Sequence, residues 1–321
     1  MTKKMSIDLG NNTIVAVAMV NGKLKTCDIE STYTTQIGTE TQNVVEYNSV
    51  VLQLGARDRK AKEFAGVTKA EREYLEHQIL WACYKAFGPG VHHLELATGL
   101  PITEGLDKKN KLAFMERLQK LNTICGKVEG KDITVTVIPE KIQLFLEGHG
   151  SLRAIYPYLS KDFSNLIIDI GMMTTDILIY EWIPAENRFS SLTPISLSLA
   201  LSSILDPIKV DLERKGEQYS LSYLSRLIRE KRYIVRTQNY GDVDLRLALK
   251  DRLPECINIL KSIESAIGSK TTNYNKVMIG GGSEILLNIL KDNDKQINYV
   301  TEIPATKKYS ANAEGYYLNL I

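Results

Sequence analysis

The stretch LIIDIGMMTTDILIY, residues 166–180, carries an apolar run into Asp169, turns at a glycine, and leaves through a second β-rich run at 176–180. That is the outline of a tight hairpin between two strands, with a carboxylate held at its turn. Gly171, Thr174 and Thr175 place backbone N–H groups and hydroxyls within reach of whatever the carboxylate faces. MSIDLGNNTIVAVA, residues 5–18, repeats the outline with Asp8 and Gly10 at the same spacing. Two Asp-x-Gly hairpins in one chain suggest a duplicated clamp for a nucleotide.

The 321 residues are enough for two domains, and 44% hydrophobic with 24% charged residues is ordinary globular composition. A net charge of +2 does not supply the basic field that direct binding of DNA or an anionic membrane needs. Cys27, Cys83, Cys125 and Cys256 form no C-x-x-C pair and read as buried free thiols in a reducing compartment. His77, His92, His93 and His149 have no metal-ligand spacing and read as structural or surface residues. The N-terminus reaches Asp8 with no long apolar segment, and no apolar run approaches the roughly 18 to 20 residues that span a bilayer. A cytoplasmic protein without membrane partners is expected.

In chain order, strands are expected at 6–9, 14–20 and 24–28, the last two joined by Asn21-Gly22. Residues 29–66 read as a small, exposed inserted subdomain with one strand at 49–54 and a charged run at 56–60. A helix over 68–87 starts at a Thr68 cap with Glu71 three residues on. A strand at 93–100 and a helix at 107–121, with Leu112, Met115, Leu118 and Leu121 on its buried face, follow. The strand 131–138 is expected to stop at Pro139, and Glu140 to begin a helix through 148. The second half repeats the order: strands at 166–170, 175–182 and 188–192, helices at 196–214, 221–230 and 243–267, a strand at 276–279, a helix at 284–290, a strand at 298–300 and a helix at 310–320. The pattern is α/β in two related halves, each a mixed sheet with helices on its faces and a ligand cleft expected between them.

Asp8 and Asp169 are the first candidates for chemistry. Mg²⁺ dehydrates reluctantly and is held largely through water and one or two carboxylates, and glycine turns beside them let backbone N–H groups approach phosphate oxygens. One such Asp alone is better read as a turn cap; the pair, with a later glycine cluster, favours the clamp. Gly280, Gly281, Gly282 and Ser283 follow a strand and open a helix, which suits a nucleoside and an adjacent phosphate, although a plain strand-to-helix turn has the same pattern. Glu140, at a strand end, is a candidate to polarise attacking water, against a first-turn Glu favoured by the helix dipole. There is no G-x-x-x-x-G-K-[ST] cradle. Arg226, Arg229, Lys231, Arg232 and Arg236 form a basic run whose default reading is a solvated face.

In order, IDLGNNT (7–13), IPEKIQLFLEG (138–148), IDIGMMTTD (168–176), IGGGSEIL (279–286) and SANAEGYYL (310–318) resemble the phosphate 1, connect 1, phosphate 2, adenosine and connect 2 segments of the actin/Hsp70/sugar-kinase superfamily. With ATGLP at 97–101, the chain resembles the bacterial actin-like proteins of the ParM/StbA plasmid-segregation family. The resemblance implies an actin-like fold of two ribonuclease-H-like halves around a nucleotide cleft, at 1–160 and 161–321, with the helix at 310–321 packing back on the first. It implies an ATPase, or GTPase, whose filaments segregate plasmid DNA. Asp8 and Asp169 would coordinate Mg²⁺ with the nucleotide. Gly10, Asn11, Asn12, Thr13, Gly171, Met172, Met173 and Thr174 would bind phosphates, Glu140 would position water, and Gly280, Gly281, Gly282 and Ser283 would hold the nucleoside. The implied partners are its own copies and a ParR-like DNA-binding adaptor on a centromere-like plasmid site. Met172-Met173 departs from the family pattern, which has a second glycine there. A small-molecule kinase of the same superfamily is the alternative; it needs an acceptor-side base, for which Glu104 is the one candidate near 94–105.

Overall fold

The computed structural model describes residues 2–39, 41–57, 61–64, 68–237, 240–268, 273–295, 297–298 and 300–321. Chain packing divides it into two compact units, Met1–Ala154 with Asn312–Ile321, and Ile155–Ala311.

The first unit opens with β1 (Lys3–Leu9), β2 (Thr13–Val20) and β3 (Lys23–Glu30), an antiparallel meander. Then come β4 (Thr32–Thr34), β5 (Val44–Tyr47), β6 (Val50–Leu54), β7 (Lys62–Glu63), a 3-10 turn at Lys69–Glu71, α1 (Leu75–Phe87), β8 (Gly90–Leu100), α2 (Ile102–Leu106), α3 (Lys108–Gln119), β9 (Ile124–Val128), β10 (Lys131–Leu146) and α4 (Leu152–Ile155). Among the described residues its strands form one ten-stranded sheet in the order β3-β2-β1-β8-β10-β9-β5-β6-β4-β7. β1, β8 and β10 are parallel, so their C-terminal ends lie together at one edge.

The second unit carries β11 (Asn165–Ile170), β12 (Thr175–Ile183), β13 (Arg188–Ser191), β14 (Ile195–Leu197), α5 (Leu201–Arg214), α6 (Leu221–Arg229), β15 (Ile234–Thr237), β16 (Gly241–Asp244), α7 (Leu245–Lys250), α8 (Leu253–Ile267), β17 (Asn275–Ile279), α9 (Gly281–Asp292) and β18 (Val300–Thr301). Its main sheet runs β13-β12-β11-β17-β18, with β14 on β12. Strand order and sense match β3-β2-β1-β8-β10: an antiparallel meander followed by two parallel strands. The duplication read from two short motifs thus extends over five strands of each unit. The last helix, α10 (Ala305–Leu320), begins in the second unit and ends in the first, where Ser6 Oγ donates to Ala313 O at 2.6 Å and Tyr316 is buried with Ala97 and Leu320.

Several expectations are corrected. Residues 29–66 carry four strands, and Tyr33, Val45, Leu52, Leu54 and Phe64 belong to the same core as β1, so this segment extends the main sheet and is not an exposed appendage. Of its charged run, residues 58–60 lie outside the described residues. The helix over 68–87 is broken: Thr68 makes no side-chain cap bond, Tyr74 takes φ +53, and α1 starts only at Leu75. Of the face expected on the helix at 107–121, Leu118 and Leu121 are buried and Met115 packs against the core, but Leu112 is exposed and Phe114 is buried in addition. The helix expected over 243–267 is interrupted after Lys250, and a β15–β16 hairpin precedes it. Residue 299, within the expected strand 298–300, is outside the described residues; β18 covers Val300–Thr301. Cys83 and Cys256 are buried free thiols, but Cys125 is exposed.

The correction that matters most for function concerns Glu140. No helix begins there: β10 runs through to Leu146, with a register shift between Val137 and Ile142. Pro139 and Glu140 sit in that irregularity, where a missing N–H costs the ladder nothing.

Candidate functional site

In the first unit the relevant edge is where β1, β8 and β10 end, since ligands of α/β sheets gather at the carboxyl ends of parallel strands. Asp8 is the second-last residue of β1 and is half-buried. Leu9 pairs with Ile14, leaving Gly10, Asn11, Asn12 and Thr13 as the turn. Gly10 is forced by its surroundings, because a Cβ there would lie 2.6 Å from Thr13 O. Asn11 is exposed and Asn12 buried.

Two buried cations underpin this turn, and neither stands out in the sequence. Arg72 is 3% exposed. Its Nη2 donates to Gly10 O at 3.1 Å and to Ser31 Oγ at 2.6 Å, its Nε donates to Gln78 Oε1 at 2.8 Å, and its Nη1 lies 3.4 Å from Asn11 Oδ1. Burial brings its pKa down to about 10, opposed by the charges of Asp8 and Glu147. Lys69, 5% exposed, donates to Leu9 O and lies 3.3 Å from Glu147 Oε1.

The structure brings a further carboxylate, Glu147, to this edge. It follows the last residue of β10, and its N–H donates to Leu100 O, the end of β8, at 2.8 Å. It therefore stands at the same edge as Asp8. Glu140 does not: it is exposed and precedes Ile142, which pairs with Leu96, whereas Leu146 pairs with Leu100. At about 3.3 Å per strand residue, Glu140 is set back from that edge by more than roughly 13 Å. The available signal was the glycine pair in Glu147-Gly148-His149-Gly150-Ser151, a strand-ending turn. That turn is pinned by α10: Asn312 Oδ1 accepts from Gly148 N at 2.9 Å, and a side chain at Gly315 would overlap Gly150 O. Glu104, the acceptor-side candidate, is occupied structurally, accepting Lys69 N at 2.8 Å; burial raises its pKa against the pull of Lys69.

In the second unit Asp169 is 6% exposed and pairs across β11–β12 with Asp176. Ile170 pairs with Thr175, so Gly171, Met172, Met173 and Thr174 form a turn of the same length, closed by Gly171 N to Thr174 O at 2.9 Å. Met172 is buried in the unit's core and Met173 is exposed. Thr175 Oγ1 is committed to Leu199 O at 2.6 Å. The first N–H groups of α5 are committed too, from Leu201 to Gly171 O at 3.2 Å and from Ser202 to Met172 O at 2.9 Å.

Gly280 has φ +82, and any side chain there would overlap Asp169 Oδ1 and Ile170 O. Gly282 likewise would put a Cβ 2.9 Å from Ile170 O. These glycines press the N-terminus of α9 against the end of β11, which sets helix N–H groups beside Asp169. Gly281 is half-buried, whereas Ser283 is fully buried and donates to Gly280 O at 2.8 Å, so its hydroxyl serves the turn. The basic run is partly paired, with Arg226 and Arg232 on Glu230 and Arg229 over the ring of Tyr309 at 5.8 Å.

Each hairpin can thus offer one strand-end carboxylate and a glycine turn to a phosphate-bound cation. Among the described residues no group of three or more His, Cys, Asp or Glu side chains is placed to hold a metal ion by itself, and Mg²⁺ bound with a nucleotide needs only one or two carboxylates beside water. No helix among the described residues is long and apolar enough to cross a membrane.

Two units of this strand order, tied by a helix that returns to the first, have the actin-like fold. The solved structures that share it include a non-polymerisable quadruple mutant of pCBH ParM, 19% identical over 99% of each chain with a TM-score of 0.78. A 15-stranded ParM filament from Clostridium botulinum matches at 21% identity over 100% of this chain and 99% of that one, TM-score 0.77. An archaeal actin homolog in complex with ADP matches at 15% over 99% and 98%, TM-score 0.74. No family model matches the sequence. No curated protein matches it either.

Proposed function

We propose that this chain is a nucleotide-dependent, filament-forming actin-like ATPase that segregates plasmid DNA through a DNA-binding adaptor. The observation that carries the reading is the full-length likeness to ParM structures, one of them a filament, joined to a strand-end carboxylate and glycine turn in both units. Asp8 and Asp169 are the groups to hold Mg²⁺ with ATP or GTP through water. The ion, when bound, neutralises charge on the terminal phosphates. The turns at 10–13 and 171–174 present backbone N–H groups to phosphate, and Gly280 to Gly282 let the nucleoside approach the backbone at the head of α9. Glu147, at the strand-end edge that Glu140 does not reach, orients the attacking water. Its partners are its own copies and a ParR-like adaptor on a centromere-like plasmid site, with no direct DNA contact, in the cytoplasm.

Light scattering and negative-stain microscopy after adding ATP or GTP with Mg²⁺ test the reading. Filaments that form with nucleotide and disassemble as phosphate is released are the expected result. Absence of assembly across salt and crowding conditions would overturn it. Nucleotide turnover that rises sharply with one small hydroxylated acceptor would instead indicate the kinase branch.

A further inference from the structure

Resting on that reading, we infer that Lys69 is the positioning residue for Glu147, so that its loss lowers the rate of hydrolysis far more than nucleotide affinity. A lysine this deeply buried is rare unless it is paired. Lys69 sits in the 3-10 turn before α1, and its backbone is fixed there by Glu104, which follows β8. Its side chain joins Leu9 O, at the end of β1, to Glu147 Oε1, just past the end of β10. One lysine therefore ties together the segments that leave three adjacent parallel strands, its ammonium those after β1 and β10 and its backbone N–H the one after β8. Oε1 of Glu147 is buried without a hydrogen-bond partner and lies 3.3 Å from the Lys69 ammonium, which assigns Oε2 to the water molecule. Arg72 is not a substitute, because its guanidinium is engaged with Gly10, Ser31 and Gln78.

A buried ion pair of this kind contributes little net stability, since desolvation offsets the attraction. Its effect on geometry is larger: a catalytic group displaced by about 1 Å can lose up to about 10²-fold in rate. The proton reaching Glu147 comes from the attacking water, and Lys69 takes no part in that transfer.

The test uses the full chain, Mg²⁺ with ATP, phosphate release for rate, and titration with a fluorescent ATP analogue for affinity. Glu147→Gln is expected to slow release by about 10²-fold or more, the range for a lost general base. Lys69→Met, which also removes the donor to Leu9 O beneath the first turn, should slow it by about tenfold or more while weakening affinity by clearly less than the loss in rate. If Lys69 acts through Glu147, the double variant will be no slower than Glu147→Gln alone, because residues acting as a unit are not additive. Lys69→Arg keeps the charge and is expected to retain at least about a third of the wild-type rate. Losses that multiply in the double variant, affinity falling in step with rate, or a Lys69→Met variant as fast as wild type would each overturn the inference. Should Lys69→Met lack native circular dichroism, Lys69→Arg decides, and a rate as low as that of Glu147→Gln overturns it. A wild-type chain that releases no phosphate with either nucleotide would overturn the proposed hydrolysis and this inference with it.

Discussion

In the first hairpin Leu9 pairs with Ile14 and Asp8 with Val15; in the second Ile170 pairs with Thr175 and Asp169 with Asp176. Register, turn length and the glycine two residues after the aspartate are the same. The supports are not. The first turn rests on buried charge, with Arg72 and Lys69 gripping Gly10 O and Leu9 O from beneath. The second rests on packing, with Met172 in the apolar core, α5 donating to the turn carbonyls, and Gly280 pressed on Asp169. Burial inside the two turns is also inverted: Asn12 is buried and Asn11 exposed in one, Met172 buried and Met173 exposed in the other. The backbone of the hairpin is what the two units share, and each half has found its own way to hold it.

The sharpest way to break the comparison is to remove the charge support. Arg72→Met leaves Gly10 O, Ser31 Oγ and Gln78 Oε1 without their buried donor, and is expected to cost the first unit about 3–5 kcal/mol. The units can be followed separately, because Trp81 lies in the first and Trp182 in the second. In a Trp182→Phe background, urea unfolding monitored at Trp81 should shift strongly; an unchanged midpoint would show that the cation is dispensable.

Next in size is the packing support. Gly280→Ala must place a Cβ against Asp169 and Ile170 at φ +82, so the second unit should lose roughly 2–4 kcal/mol, read at Trp182 in a Trp81→Phe background. Gly22→Ala is the control: its φ of +74 is as unfavourable, but a Cβ there meets open space, and about 1 kcal/mol is expected.

These supports explain what could and could not be read from the sequence. The hairpins were legible because an Asp-x-Gly turn between β-rich runs is a local signal, and the repeated order of elements exposed the two halves. Arg72 and Lys69 were not, because their meaning lies in contacts with residues some 60 positions away. Glu147 was hidden by Pro139, which looks like a strand terminator and is instead tolerated at a break in the ladder of β10. The apolar positions at 142 and 144–146 fit a helix face as well as a strand, and only pairing with β8 decides between them. Strands β4 to β7 were largely missed because they are short and join the sheet through partners far apart in sequence.

A gentler perturbation separates the units by pH. His77, His92 and His149 all lie in the first unit, and burial lowers the pKa of each below 6.5. The second unit contains no histidine. With folded pKa values below the unfolded one, protons bind the unfolded chain first, so the first unit should lose stability as pH falls through 6.5 and below. Above that pH these groups contribute no slope. Unfolding midpoints at Trp81 should therefore fall between pH 7 and 5 while those at Trp182 hold; parallel slopes would mean that histidine burial does not distinguish the units.

The smallest expected effect tests the inverted burial of the turns. Met173 is 52% exposed and corresponds in the first turn to Asn12, which is buried. Because the side chain at 173 points out, Met173→Asn removes no core contact, and exchange of one exposed side chain for another should change stability by no more than about 0.5 kcal/mol. Its backbone N–H stays in place, so nucleotide affinity should hold as well. A large loss in stability would mean that Met173, like Met172, is part of the packing support. A large loss in affinity with stability intact would mean that the thioether itself lies against the bound nucleotide.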